Sequence, residues 1–378
     1  MEHMDARTAI GLGAASGPAR IAGPGEAIGP DEAALAGRNH GLPLEALRYD
    51  ITPPGLHYVL THYDIPPGDS HAWRLTVGGL VEEPLSLDVA ALRSFPTVTH
   101  RVTMECAGNG RGLLDPRPVS QPWLDGGVGT ADWTGVPLHI LLAVAGVRPG
   151  AAEVVFTGAD HGVERGVEQD YQRSLPMAAA MAGDPEVLVA YAMNGSPLPP
   201  QHGYPLRLIV PGWYGMASVK WLRAIEVSAV PFEGYHQASS YVFRRSEDDP
   251  GTPLTRIRPR ALMVPPGFPD FMSRTRVVRS GPVFLTGRAW SGHAPVASVE
   301  ISSDDGRTWH EADLDAPGRH HWAWRSWRTV WTAAPGLHTL GVRATDTHGN
   351  TQPLRPEWNT GGYGNNAVQR VPVVCLDE

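Results

Sequence analysis

The pattern of hydrophobic and polar positions predicts a first half that mixes β-strands with short helices. Residues 98–104 alternate in polarity and are rich in β-branched side chains, as a half-buried strand requires. Residues 153–157, 187–193, 206–210 and 219–227 are apolar runs of strand length. These segments provide enough apolar sequence for at least one buried sheet.

Three segments of the same half have the pattern of short helices. Residues 86–93 begin with Ser86 as the N-cap, residues 138–145 have an amphipathic pattern with Pro137 before the first turn, and residues 175–181 follow Ser174. The helices do not alternate regularly with the strands, and neither a P-loop nor a GxGxxG after a strand is found. The common nucleotide-binding folds are therefore not supported.

The second half reads as strands alone. Turn-like residues such as Asp305-Gly306 separate short alternating runs, a spacing typical of a β-sandwich. The predicted strands are residues 283–290, 297–303, 309–314, 322–331, 339–345 and 367–374. A proline-rich stretch over residues 250–269 precedes them and has the character of a linker.

This distribution of predicted strands and helices indicates a two-domain α+β protein. Residues 1–36 are rich in Gly, Ala and Pro and are expected to form a flexible tail, followed by an α/β domain over 37–250 and an Ig-like sandwich over 251–378. No signal peptide or twin arginine is recognisable near the start. Both a cytoplasmic location and, if a leader has been removed, a periplasmic one stay open.

The composition of the chain restricts the classes of partner that the protein is expected to bind. The net charge is −8 without a long basic run, which argues against nucleic acid and against an anionic membrane surface. No apolar run reaches the roughly 20 residues of a spanning helix. Two cysteines, Cys106 and Cys375, do not form a disulfide framework, although a single bridge stays possible.

Cys106 stands where the 98–104 strand gives way to small, turn-favouring residues. Asn109 and Arg111 follow it directly, and polar groups clustered after a rigid strand end are a common way to build a site. A lone cysteine is more often a small buried hydrophobe. Its neighbours in sequence decide between these interpretations.

Several separated motifs resemble the molybdenum domain of the sulfite oxidase family, and the second half resembles that family's dimerisation domain. The resemblance covers roughly residues 50–375. In chain order the motifs are Glu105-Cys-Ala-Gly-Asn109, Asn194-Gly-Ser-Pro-Leu-Pro199, His202-Gly-Tyr-Pro-Leu-Arg207, Pro211-Gly212, Ser218-Val-Lys-Trp-Leu222, Ala289-Trp-Ser-Gly292 and Trp322-Ala-Trp-Arg-Ser-Trp327.

The resemblance implies a molybdenum–molybdopterin cofactor with Cys106 as the protein's metal ligand. Soft sulfur donors suit this metal, which itself favours the thiolate. Cys375 is interpreted as structural. The residues that the resemblance assigns to binding the cofactor are His62, His202, Arg207, Ser218, Lys220 and Asn109.

The resemblance also implies a site for a small oxyanion such as sulfite. Arg111 and Arg370 match arginines that hold the anion, Trp123 matches a tryptophan that lines the pocket, and Tyr241 matches the active-site tyrosine. For Tyr241 and Arg370 the alternatives are a packed aromatic ring and a charge at a strand edge. Oxidation of sulfite to sulfate is the function this set predicts.

Two departures remove positive charge from the expected anion site. Leu60 stands where the family has an arginine, and Gly110 takes the first place of a double arginine. Sulfane oxidation within a thiosulfate pathway and oxyanion reduction, as in nitrate reductases, therefore remain alternatives. A cofactor-free binding module is a third alternative, which the Cys106, Arg207 and Lys220 set disfavours.

The expected assembly is a homodimer formed through the sandwich. Residues 1–50 are too short for a haem module with paired histidine ligands, so a haem-free form is expected. Electrons would then pass to oxygen, a separate cytochrome or another external acceptor.

Overall fold

The structure, a computed structural model, describes residues 20–164, 166–183 and 186–377. Among these residues, a pair of five-stranded sheets makes up the first half of the protein. The first sheet has the spatial order Leu85–Leu87, Leu75–Gly79, Leu222–Ser228, Glu153–Glu164 and Val167–Pro176. The second has the order Val98–Glu105, Val128–Pro137, Leu188–Met193 and Ser196–Pro197, with Arg207–Ile209 also paired to Leu188–Met193.

Helix Leu138–Ala145 fills the core that the two sheets share. Leu138, Leu141, Leu142 and Ala145 are completely buried, and their spacing of three and four residues places them on one helix face. Gly146 ends the helix in the left-handed conformation that glycine adopts at low cost. The helix predicted over 138–145 is thus present.

Two other predicted helices begin later than expected. The helix Val89–Arg93 is capped by Asp88, whose carboxylate accepts a hydrogen bond from Ala91 N at 2.7 Å, while Ser86 belongs to a strand. Residues 175 and 176 continue the strand Val167–Pro176, and the helix is confined to Met177–Ala180. In both places pairing with a neighbouring strand overrides the local helical preference.

The second half is a β-sandwich, as its alternating pattern predicts. Its two sheets enclose a core that includes Leu285, Trp327, Leu340 and Val342. One sheet has the order Arg260–Met263, Gly281–Trp290, Arg325–Ala333 and Asp313–Leu314. The other has the order Phe268–Pro269, Arg276–Arg279, Gln369–Leu376, Gly336–Asp346, Val296–Ser302 and His310–Glu311.

Short irregular elements connect these units. The strands Val242–Phe243 and Thr252–Pro253 form a small hairpin between the two halves. A π-helix, Tyr235–Ser240, precedes that hairpin. The short 3₁₀ segments are Leu44–Arg48, Pro54–Leu56, Arg111–Leu113, Pro200–His202 and Gly215–Ala217.

The flexible tail expected over residues 1–36 is wrong from Arg20 onward, and residues 1–19 lie outside the described residues. Ala22 is buried and donates a hydrogen bond to Arg117 O at 2.8 Å. Helix Pro30–Arg38 follows, and its buried Glu32 forms an ion pair with Arg117. Arg117 belongs to the long loop after Cys106, and a carboxylate supplied from the N-terminal segment pairs with it.

A buried ion pair ties the cysteine-bearing strand to the sandwich. Glu105 Oε1 lies 2.8 Å from Arg260 Nε, with both side chains 2% exposed. Trp290 Nε1 donates to the other carboxylate oxygen at 2.8 Å, and Asp125 accepts from Arg260 at 3.2 Å. The residue before Cys106 is therefore held by two residues of the second half.

Across the described ranges of the chain, no helix has the length and apolar character needed to cross a membrane.

We expect Arg260→Met to destabilise the protein by about 3–5 kcal/mol, because it leaves the Glu105 carboxylate buried without its counter-charge. Arg148→Met is the matched control, since Arg148 pairs with Glu82 at 3.2 Å on the surface and should cost about 1 kcal/mol or less. Urea unfolding followed by tryptophan fluorescence measures both. Equal losses in the two variants would contradict this role of Arg260.

Candidate active site

A pocket with about 590 Å³ of empty space opens where strand Val98–Glu105 ends. The chain turns there because Asn109 N bonds back to Cys106 O at 3.0 Å, while Cys106 N donates to Gly127 O at 2.8 Å. The Cys106 side chain is buried and contributes to the pocket wall. The other lining residues that carry polar or charged groups include His57, Tyr58, His62, Asp160, Tyr171, His202, Arg207, Ser218, Lys220 and Tyr241.

The surroundings of Cys106 keep its thiol protonated unless a cation binds. Burial raises the pKa of Cys106 to about 11, and the N–H of Gly108 and the charge of Arg111 oppose this only in part. Trp123 is buried beside it, and a hydrogen bond from its side chain also opposes the rise in the pKa of Cys106. A metal ion would supply the positive charge that a thiolate needs here.

Two buried cations face the same pocket. The Arg207 guanidinium lies over the Trp133 ring at 4.8 Å and donates to His202 O at 3.0 Å and Ser218 O at 3.1 Å. Lys220 Nζ donates to Leu60 O at 2.8 Å and to another carbonyl. Within the described residues neither cation has a carboxylate within 4.0 Å.

Burial lowers the pKa of Arg207 to about 10, so the side chain still carries its charge near neutral pH. Burial, and then the charge of Arg207, also lower the pKa of Lys220, while Asp160 opposes that shift. Placing two cations in a buried pocket without ion pairs is unfavourable. An anionic ligand such as a phosphate would compensate this cost.

The histidines of the pocket are neutral. Burial is the main cause that lowers the pKa of His57 to about 4, of His62 to about 3 and of His202 to about 2. His57 Nε2 and Asp160 Oδ1 are buried without a hydrogen-bond partner among the described residues. These orphaned atoms can serve the polar edges of a bound pterin.

This donor set fits molybdenum with molybdopterin. Cys106 offers a sulfur ligand, Arg207 and Lys220 offer positive charge, and His57 and Asp160 offer free polar atoms. The structure therefore brings together seven residues expected from the sequence: Cys106, His62, His202, Arg207, Ser218, Lys220 and Tyr241. Of these, Ser218 lines the pocket although its Oγ accepts a hydrogen bond from Val210 N at 3.1 Å.

Tyr241 lines the pocket and contacts groups that the sequence did not indicate. Its hydroxyl is hydrogen-bonded to His62 Nε2, and burial raises its pKa well above 10. The Arg173 guanidinium lies 5.5 Å from the Tyr241 ring. Tyr171 and Arg173 both lie on the strand Val167–Pro176. The regular pattern of that strand gave no indication that either residue has a functional role.

Arg111 is buried next to the cysteine loop. Its Nε donates to Gly361 O at 2.9 Å, and its guanidinium lies 4.8 Å from the Tyr363 ring. Among the residues that the structure describes, no carboxylate pairs with it. The loop that contains Tyr363 therefore brings the second half of the chain to the site.

Four expected site residues do not line the pocket: Arg111 and Trp123, which are buried near Cys106, and Arg370 and Asn109. Arg370 is half-exposed on the outward side of the strand Gln369–Leu376 and pairs with Asp305 at 2.7 Å, so the expectation that it reaches the anion is wrong. Asn109 is buried, and its side chain braces the loop through Glu105 at 3.0 Å and Gly127 at 2.8 Å. Its donors and acceptors are thus used inside the protein.

The backbone conformation at position 110 favours glycine. Its φ of +82° is left-handed, and a Cβ there would lie 2.8 Å from Asn365 Nδ2. Asn365 also donates to Gly110 O at 2.8 Å. The absence of an arginine at this position is therefore coupled to the packing of the loop before Arg370.

Comparison with known proteins gives matches in both halves. Residues 62–236 match the family described as oxidoreductase molybdopterin binding domain, and residues 269–375 match the Mo-co oxidoreductase dimerisation domain. The mitochondrial sulfite oxidase of Mus musculus is 34% identical over 85% of this chain and 61% of its own length. A nitrate reductase of Hordeum vulgare is 33% identical over 86% of this chain but only 39% of its own length.

Among solved structures, that of the sulfane dehydrogenase SoxCD from Paracoccus pantotrophus aligns with a TM-score of 0.77 and 27% identity. The alignment covers 98% of this chain and 92% of that chain. Two matched domains in the expected order and a pocket with the expected cysteine and cations agree with one another. The chain belongs to the sulfite oxidase family of molybdopterin oxidoreductases.

Proposed function

We propose that the protein oxidises sulfite to sulfate with a molybdenum–molybdopterin cofactor and passes the electrons to an external acceptor. The observation that carries this proposal is the pocket in which the Cys106 thiol shares one cavity with the unpaired cations Arg207 and Lys220 and with the Tyr241–His62 pair. In the overall reaction sulfite and one water give sulfate, two protons and two electrons.

Different residues of the pocket would bind different parts of the cofactor. Cys106 would bind the metal, Arg207 and Lys220 would neutralise the cofactor's phosphate, and His57 and His202 would meet its polar edges. When bound, this cofactor supplies a centre that takes two electrons and delivers an oxygen atom to the substrate. The protein itself therefore mainly binds, orients and moves protons.

Arg111 and Trp123 are the groups we assign to the anion. Arg111 is a buried cation whose hydrogen bonds in the described chain go only to carbonyl oxygens. Tyr241 stays protonated because burial holds its pKa far above neutral, so its hydroxyl can donate a hydrogen bond. Neutral His62 beside it can accept that proton.

A second candidate is a sulfane or thiosulfate-pathway dehydrogenase. The near-complete alignment with SoxCD favours it, as does the small number of cations at the anion site. Leu60 and Gly110 replace arginines, and residues 359–364 next to Arg111 contain no charged side chain. A site with one arginine suits a less strongly charged sulfur substrate better than a site with three.

We further propose a homodimer formed through the sandwich, in line with the dimerisation domain it matches. Phe284 and Val330 are directly paired across two strands, and both are exposed, Phe284 by 78%. Larger exposed apolar patches mark protein–protein interfaces, and these two neighbouring side chains would contribute to one. Oxygen or a separate cytochrome would serve as electron acceptor.

We expect Cys106→Ser to abolish sulfite oxidation while leaving the fold intact, because a hydroxyl is a poor substitute for a soft sulfur ligand. Sulfite-dependent reduction of ferricyanide measures the activity, and circular dichroism measures the fold. Cys375→Ser is the control, since Cys375 is buried in the sandwich and should retain full activity. Substantial activity in Cys106→Ser would overturn the assignment.

We expect Arg207→Met to lower the molybdenum and pterin content of the purified protein by at least about tenfold. The reason is the loss of charge-assisted hydrogen bonds to the cofactor, each about 1.5–3 kcal/mol. Arg256→Met is the control, because Arg256 is half-buried, donates to Gly292 O at 3.2 Å and lies outside the pocket. Full cofactor content in Arg207→Met would contradict the cofactor role.

Steady-state rates with sulfite, thiosulfate and nitrate separate the two candidate functions. We expect sulfite to have the highest kcat/KM, with a KM that rises with ionic strength because Arg111 binds an anion. A higher kcat/KM for thiosulfate would favour the sulfane candidate. Reduction of nitrate without oxidation of either sulfur compound would contradict both.

A further inference from the structure

Behind Tyr241 a line of titratable side chains runs from the pocket toward solvent. The Tyr241 hydroxyl is hydrogen-bonded to His62 Nε2, and the His62 ring lies 5.9 Å from the His236 ring between centroids. His236 Nε2 in turn lies 3.3 Å from Glu164 Oε2. The two histidine rings meet edge to face, with an angle of 67° between their planes.

The line ends at the surface. The side chain of His236 is 1% exposed, whereas that of Glu164 is 34% exposed. Tyr171 stacks between the two histidines, with ring centroids 4.7 Å from His62 and 4.5 Å from His236. The path therefore connects the buried pocket to a carboxylate that water reaches.

His236 and Glu164 are brought together by a π-helix and by the end of a strand. His236 comes from the π-helix Tyr235–Ser240, a rare element that is frequent at functional sites. Glu164 is the last residue of the long strand Glu153–Glu164. Neither His236 nor Glu164 lines the cofactor pocket, so binding the cofactor does not explain them.

The charge states along the line suit proton movement. Burial keeps His62 neutral, so a ring nitrogen can accept a hydrogen bond on the pocket side. Although burial raises the pKa of Glu164, the hydrogen bond of His236 helps to lower it overall, so Glu164 stays a carboxylate near neutral pH. The titratable or charged groups around His236 are His62, Tyr63, Tyr171, Tyr235, Glu164 and Arg173.

The proposed reaction needs such a path. Sulfite and water give sulfate, two electrons and two protons, and both protons arise in a pocket lined mainly by buried side chains. We propose that Tyr241, His62, His236 and Glu164 form the route by which these protons leave, with His236 and Glu164 as positioning residues that act through His62. This inference rests on the proposed function.

The test compares Glu164→Gln and His236→Phe with the native holoenzyme. We expect kcat for sulfite oxidation to fall by about tenfold or more in each, with KM changed less than about twofold, because proton removal slows while anion binding does not. The solvent deuterium isotope effect on kcat should rise, and Glu164→Asp should recover some of the rate. Molybdenum content and the unfolding temperature confirm that each variant is loaded and folded.

Glu168→Gln is the matched control. Glu168 lies on the same hairpin and pairs with His161 at 3.0 Å, but both are exposed and outside the line. Its kcat and isotope effect should equal those of the native enzyme. The proposed route is overturned if Glu164→Gln and His236→Phe keep native kcat and isotope effects with full molybdenum content.

A second readout does not depend on activity. In cofactor-free protein with ¹⁵N-labelled histidine, with His236 assigned through His236→Phe, Nε2 should carry the proton that faces Glu164. An unprotonated Nε2 would contradict the route. If the native holoenzyme oxidises no sulfite while this NMR result holds, the proposed function fails and the hydrogen-bonded line stands.

Discussion

The buried ion pair between Glu105 and Arg260 is the contact on which the site depends most. Glu105 directly precedes Cys106, yet its carboxylate is held by Arg260 and Trp290 from the second half of the chain. Desolvating a carboxylate is tolerated only when its partners are fixed. The position of the sulfur is consequently set by how the two halves pack, and strand Val98–Glu105 alone would not fix it.

The same physics explains the pocket. Arg207 and Lys220 are buried against carbonyl oxygens and aromatic faces, which satisfy their N–H donors but do not neutralise their charge. The protein thus tolerates an electrostatic cost that an anionic cofactor would relieve. Stability gained on cofactor binding follows by mass action, because such a ligand binds the folded chain and not the unfolded one.

The sequence was most informative where regular patterns and local motifs carry the information. Alternation revealed the sandwich, and short motifs located Cys106, Arg207 and Lys220. Arg370 was misjudged because strand alternation directs it outward, to Asp305. The N-terminal segment was misjudged because Glu32 finds its partner, Arg117, 85 residues away. His236 and Glu164 were missed because no local pattern marks a π-helix or the end of a strand.

Gly110 shows how backbone shape restricts the evolution of this pocket. Its left-handed conformation disfavours any residue with a Cβ, and a Cβ there would also displace the Asn365 side chain, 255 residues away in sequence, from its hydrogen bond to Gly110 O. A substitution at Gly110 would therefore disturb the loop after Cys106 and the loop before Arg370 together.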